Sequence, residues 1–184
     1  MNRTLTTILA LLLLSTTPRV TSADDDTGWS PSVNGLQARL TLARGQALND
    51  TPLITTYLEL RNVANVANVM EVPLKLDTIQ FEVVDDQDKL VAPTSLPYDE
   101  FSVELGLLRL PHDSYLRFNI SHQGAGVPKN QSCLLDLGLF HIWVFGPGDK
   151  RSYYLRGRFS VEPSKNPTWS GTVQIPKVKI PTAE

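Results

Sequence analysis

Four segments of the chain alternate apolar and polar residues with a period of two. They are residues 36–42, 54–61, 79–83 and 115–120, and apolar side chains occupy every second position of each segment, except for Thr56. Successive side chains of a β-strand point to opposite faces of a sheet, so the pattern predicts strands that bury one face and expose the other. Antiparallel sheets packed on one side show this alternation.

The second half of the chain continues the same pattern. Residues 140–145 are apolar nearly throughout, as in a central strand, and residues 153–161 and 169–175 alternate again. No stretch of a dozen residues keeps a helical period, and most of the 13 prolines and 11 glycines lie between the predicted strands. We therefore predict an all-β domain, an antiparallel two-sheet β-sandwich of about seven to nine strands with little helix.

The buried face of each predicted strand defines a predicted core. Its members are the large apolar residues at inward positions of different strands. They are Leu40, Leu58, Phe81, Phe118, Phe159 and Val173.

The amino terminus has the features of a cleavable signal peptide. Leu5–Leu14 is an apolar run that spans only about 15 Å as a helix, too short for a hydrocarbon core of about 30 Å. Small residues at Thr21 and Ala23 suit cleavage after Ala23. We predict a signal peptide over 1–23, a flexible polar leader over 24–32, a sandwich domain over 33–181 and a tail over 182–184. The protein is then secreted or periplasmic.

Charge and cysteine content narrow the classes of partner. The predicted mature chain has 15 basic and 19 acidic residues, a net charge of −4, because Arg3 and Arg19 leave with the signal peptide. This balance gives no electrostatic case for nucleic-acid binding, and no second apolar segment is long enough to span a membrane. The single cysteine, Cys133, excludes an intramolecular disulfide, and its apolar neighbours predict a buried, inert thiol.

Three segments resemble immunoglobulin-like β-sandwich domains of secreted bacterial proteins of unknown function. They are Tyr57–Asn62, a strand that ends in asparagine, Phe81–Val91, a hairpin with an acidic turn, and Trp169–Pro176, a closing strand. The resemblance implies an immunoglobulin-like architecture and an extracytoplasmic location. It implies no particular function, because one fold serves many functions.

Signals for catalysis and metal binding are weak. His112, His122 and His141 match no zinc spacing, and no Gly-x-Ser-x-Gly motif is present. The acidic run 85–88 lacks the glycine and the final glutamate of an EF-hand, and a hairpin turn explains it. We predict no enzyme, no metal and no cofactor. The alternative is a secreted hydrolase or carbohydrate-binding protein whose site is assembled from loops.

The polar faces of the predicted strands carry aromatic and basic side chains. Tyr154, Arg156 and Arg158 share one outward face, which we predict as the candidate binding face. Aromatic residues either line a sugar-binding platform or pair across strands. Those considered are Trp29, Trp143, Trp169, Tyr57, Tyr115 and Tyr154. The predicted function is an exported, non-catalytic binding or scaffold module of the cell envelope or extracellular space, with an unknown protein or carbohydrate as partner.

The predicted mature chain also contains three sequons for N-linked glycosylation. Their asparagines are Asn49, Asn119 and Asn130. The position of Asn119 on an outward strand face leaves room for a glycan. These asparagines carry glycans only in a host that glycosylates exported proteins.

Overall fold

The computed structural model describes residues 28–65, 68–75, 78–94, 104–121, 129–137 and 141–182. The predicted signal peptide, residues 1–23, lies outside them. Among the described residues, no helix has both the length and the apolar character needed to cross a membrane. The strands in chain order are β1 (Leu36–Leu48), β2 (Thr51–Asn62), β3 (Met70–Lys75), β4 (Ile79–Asp85), β5 (Leu90–Val91), β6 (Glu104–Leu110), β7 (Tyr115–Asn119), β8 (Cys133–Asp136), β9 (Ile142–Phe145), β10 (Tyr153–Val161) and β11 (Gly171–Lys179).

The described strands form three sheets. Sheet 1 has the order β1-β2-β8-β9, and β7 also pairs with β2; sheet 2 has the order β11-β10-β4-β5; sheet 3 is the pair β3-β6. The predicted all-β class with little helix is confirmed. Two antiparallel sheets were expected, whereas the described residues contain a third sheet and one parallel pair, β2 with β8. Alternation predicts the face of each side chain, but it does not select the neighbouring strand.

The long hairpin of β1 and β2 sets the register of sheet 1. Asn49 and Asp50 connect the strands with positive φ angles of 52° and 58°. Two consecutive residues with positive φ are the signature of a type I′ turn, whose twist matches that of the flanking strands. A register shift between Arg44 and Ala47 then moves the pairing by one residue and places Arg39 directly opposite Glu59.

The main core cluster contains residues of all three sheets and most of the predicted core residues. Five of the six are buried, and Phe159, fully buried, stacks on Trp169 with ring centroids 5.3 Å apart. Phe118 is the exception, because it is only partly buried against the core cluster. Its strand, β7, pairs with β2 alone among the described strands, and its neighbour Leu116 is 38% exposed. An edge position therefore leaves the inner face of β7 incompletely covered.

Candidate binding face

A glutamate on the outer face of sheet 1 is almost completely buried. Glu59 of β2 is 2% exposed, although its neighbours in the strand point into the core. Strand pairing places it between Arg39 of β1 and Arg117 of β7. A buried carboxylate is stable only when it is paired and hydrogen-bonded. Side chains of the adjacent strands must therefore supply its partners.

Three donors surround the Glu59 carboxylate. Arg39 Nε donates a hydrogen bond of 2.6 Å to Oε2, and Thr41 Oγ1 donates one of 3.2 Å to Oε1. Arg117 Nε lies 3.4 Å from Oε1. Both carboxylate oxygens are thus engaged, and two guanidiniums separate the carboxylate from water on the solvent side of the sheet. The two arginines are held in place by one shared anion.

Aromatic rings extend this network on both sides. The guanidinium of Arg117 lies over the ring of Tyr57 at 3.9 Å from its centroid, and that of Arg39 lies over Trp29 at 4.4 Å. Both distances are within the range of cation–π attraction. Trp29 also meets Tyr115 edge to face, with centroids 6.4 Å apart. We call this surface the arginine–aromatic face; it consists of Trp29, Arg39, Tyr57, Glu59, Tyr115 and Arg117.

The backbone of the leader positions Trp29 on this face. Ser30 is fully buried; its N–H donates to the carbonyl of Ala38 at 2.9 Å, and its Oγ accepts from the N–H of Ala38 at 2.9 Å. Gln37 Nε2 donates to the carbonyl of Ser30 at 2.9 Å. A flexible leader was predicted over 24–32. Residues 24–27 lie outside the described residues, whereas Trp29 and Ser30 are fixed against β1.

The face predicted from the sequence lies on sheet 2. Tyr154, Arg156 and Arg158 do share the outer face of β10. Arg156 Nη2 lies 2.8 Å from Glu82 Oε2, and Arg158 Nη2 donates to Gln80 Oε1 at 2.6 Å. These partners belong to β4, the strand directly paired with β10. The cross-strand contacts compensate the charge of Arg156. Among the described residues, no carboxylate pairs with Arg158, which lies beside a shallow groove of about 290 Å³.

The acidic run 85–88 forms the predicted hairpin turn. Asp85 Oδ1 accepts from the backbone N–H groups of Gln87 and Lys89, both at 3.0 Å. Asp88 has a positive φ of 59° and forms an ion pair of 2.8 Å with Lys177. The hydrogen bond and charge of Lys177 hold the pKa of Asp88 below its ordinary value. A carboxylate that accepts hydrogen bonds from nearby backbone N–H groups, as Asp85 does, stabilises a turn.

The cysteine and the two histidines that the structure describes lie at separate places in the fold. Cys133 is fully buried, as predicted, and burial raises the pKa of its thiol to about 12, which disfavours the reactive thiolate. His112 lies in the turn before β7 beside Asp113, His141 precedes β9, and His122 lies outside the described residues. Among the described residues, no three His, Cys, Asp or Glu side chains gather as metal ligands do.

A further polar cluster lies at the start of β10, at the side of an open cleft of about 950 Å³. Tyr153 Oη donates to Asp149 Oδ2 at 2.5 Å, and Arg151 Nη2 donates to the same oxygen at 2.9 Å. Hydrogen bonds from Arg151 and Tyr153 hold the pKa of Asp149 well below its usual range. Burial and the contact with Asp149 raise the pKa of Tyr153 to about 12. The cluster therefore keeps an ionised carboxylate and a protonated phenol, which fixes the turn.

Comparison with family models, with curated proteins and with solved structures found no match for this chain. The arginine–aromatic face is therefore identified as a candidate site from its geometry alone. The sequence pointed to Trp29, Tyr57 and Tyr115 as aromatic candidates, and the structure brings these three together. Trp143 and Trp169 are buried, and Tyr154 lies on sheet 2. Sequence reasoning missed the buried glutamate and its two arginines, because only the strand register makes them neighbours.

Proposed function

We propose that the protein is an exported, non-catalytic binding module and that the arginine–aromatic face is its main contact surface. The observation that carries this proposal is the burial of Glu59 between Arg39 and Arg117. A shared carboxylate and two stacked rings hold the guanidiniums in fixed positions. Such preorganisation reduces the entropy lost when a ligand binds.

Export is part of this proposal. It is supported by Leu5–Leu14 and by the small residues that end at Ala23. Protein recovered from the periplasm or the medium is expected to have the mass of a chain that begins at Asp24. A mass that includes residues 1–23 would contradict the proposed cleavage.

The proposed architecture is an immunoglobulin-like sandwich in which sheets 1 and 2 are the two layers. It is supported by one core that both sheets share and by the contact of β1 with β11. Sheet 3 and the parallel β2–β8 pair are additions to that plan. In a sandwich the outer faces and the end loops are the accessible surfaces, which suits a contact role for the outer face of sheet 1.

A second candidate surface is the sheet 2 face of Tyr154, Arg156 and Arg158. The observation in its favour is Arg158, whose guanidinium contacts the neutral Gln80 and borders the groove between β4 and β10. Its weakness is that Glu82 already compensates Arg156. A hydrolase with a site assembled from loops is the enzymatic alternative, and turnover would reveal it.

The experiment compares two matched arginine variants. Purified protein is immobilised and exposed to cell-envelope and extracellular fractions of the source organism, and retained material is quantified. We expect Arg117→Gln to reduce retention strongly and Arg158→Gln to leave it unchanged, with both variants folded by circular dichroism. The opposite result would move the contact surface to sheet 2. Turnover of a hydrolase substrate panel without specific retention would overturn the binding function.

A further inference from the structure

The part of the outer face of sheet 1 that β1, β2 and β7 form carries an excess of positive charge. Three arginines and one carboxylate occupy its register positions on β1, β2 and β7, a net charge of +2. The whole chain has a net charge of −2, so the charge of this face is opposite in sign to that of the whole chain. Within the described residues, Arg61 has no ion pair at all. Those register positions are Gln37, Arg39, Thr41, Tyr57, Glu59, Arg61, Tyr115, Arg117 and Asn119.

Arg117 is the arginine best placed to receive a ligand. Its side chain is 46% exposed, and Glu59 approaches it through Nε at 3.4 Å. Within the described part of the chain, no hydrogen bond engages its two Nη groups. The ring of Tyr57 supports the guanidinium from one side at 3.9 Å. A guanidinium with free Nη groups binds a carboxylate through parallel hydrogen bonds, and a supported one loses less freedom on binding.

Aromatic surface lies directly beside this charge. Tyr115 is 57% exposed and belongs to the same strand as Arg117, two residues away on the same face. Trp29 adds its indole next to Tyr115. The face of an aromatic ring is electronegative, so it attracts the weakly positive C–H groups on the flat side of a sugar ring. The face therefore presents a guanidinium and an aromatic ring side by side to a ligand.

We propose that the arginine–aromatic face, with Arg61, binds an acidic polysaccharide, a saccharide chain that carries carboxylate groups. This inference rests on the proposed function and names its ligand class. Charge complementarity selects an anionic ligand, and the aromatic rings select one with flat apolar faces. A sugar acid has both in one residue: the carboxylate pairs with Arg117 or Arg61, and the ring packs on Tyr115.

An acidic peptide fits this surface less well. An extended peptide binds a sheet by pairing its main chain with an edge strand. The arginines and rings lie on the face, where β2 has both of its edges paired with β1 and β7. A peptide laid across the face would lose its backbone hydrogen bonds with water and gain none from the sheet. A saccharide chain has no such backbone requirement.

The test is calorimetric titration of the purified protein with a galacturonic acid tetramer at low ionic strength. A galactose tetramer is the matched neutral probe, because it has the same ring without the carboxylate. We expect binding of the acidic tetramer, weaker binding at higher salt, and little or no binding of the neutral one. Arg117→Gln and Arg61→Gln are each expected to weaken affinity about tenfold or more, and Tyr115→Ala to weaken it as well.

The control variant is Arg109→Gln, which removes one exposed arginine from sheet 3 and is expected to leave affinity unchanged. Equal affinity for the acidic and neutral tetramers, no binding of the acidic tetramer, or an equal loss with Arg109→Gln would each overturn the inference. If retention of native material still depends on Arg117 in any of these cases, the proposed function stands and only the ligand class is wrong. If retention of native material does not depend on Arg117 either, both the ligand class and the proposed function are wrong.

Discussion

Replacement of Glu59 by glutamine tests the network on which the candidate face depends. The substitution keeps the volume of the side chain but removes its charge and replaces one acceptor oxygen with an NH₂ group. That group must then face either Arg39, whose Nε lies 2.6 Å from Oε2, or Arg117 and Thr41 on the other side. In either orientation the NH₂ group faces a guanidinium that a carboxylate oxygen contacted before, in a site that is 2% exposed.

The expected cost follows from that geometry. A hydrogen bond to a charged group contributes about 1.5–3 kcal/mol, so Glu59→Gln is expected to lower the free energy of unfolding by about that amount. With a urea m-value of about 2 kcal/mol/M, the unfolding midpoint falls by about 1 M. Urea unfolding followed by tryptophan fluorescence and by circular dichroism measures this shift and tests two-state behaviour.

Glu82→Gln is a matched control for burial. Glu82 of β4 also pairs with an arginine of the adjacent strand, at 2.8 Å from Arg156 Nη2 of β10, but its side chain is 49% exposed. Exposed pairs of this kind contribute about 0–1 kcal/mol. The two substitutions are chemically identical, so the difference between them reports the burial of Glu59. Equal losses, or a change below about 0.5 kcal/mol for Glu59→Gln, would refute the reasoning.

Three further predictions concern the core, the thiol and alkaline stability. Phe159→Ala is expected to cost about 3–5 kcal/mol in urea unfolding and Phe118→Ala clearly less, because only Phe159 is fully buried; equal costs would contradict this. Cys133 is expected to react with a thiol reagent at pH 8 only as fast as the protein unfolds, since its side chain is fully buried and its pKa is raised to about 12. The pKa of Tyr153 is raised from 10.0 to about 12, so its contribution to stability is present below pH 10 and is lost as pH rises towards 12. Tyr153→Phe should remove that part of the alkaline decline.

The sequence predicted the faces of strands better than their neighbours. Leu58 and Phe159 are buried as their alternation indicated, because the period of a strand is a local property. Phe118 follows the same alternation and is only partly buried, because β7 lies at an edge among the described strands. The coverage of a strand depends on its sheet partners, which local periodicity does not contain. The third sheet and the parallel β2–β8 pair were missed for the same reason.

The candidate face was predicted only in part for a related reason. Alternation assigned Glu59 to the polar face, which is correct, and therefore predicted exposure, which is wrong. Its burial requires Arg39 and Arg117 directly opposite on two strands, one of them about sixty residues away in the chain. Trp29 joins this group because the leader places its ring beside the guanidinium of Arg39. Register and the path of the leader are tertiary properties, so composition and motif searches did not bring these residues together.

The most direct test of the central claim is a map of the ligand contact by heteronuclear NMR during titration with the galacturonic acid tetramer. The indole N–H of Trp29 lies on the arginine–aromatic face, whereas those of Trp143 and Trp169 donate to the carbonyls of Val91 and Val33 inside the fold. We expect the Trp29 indole signal and the amides of β1, β2 and β7 to shift, while the other two indole signals stay in place. Shifts confined to β4 and β10, or to the loops around the open cleft, would contradict the account.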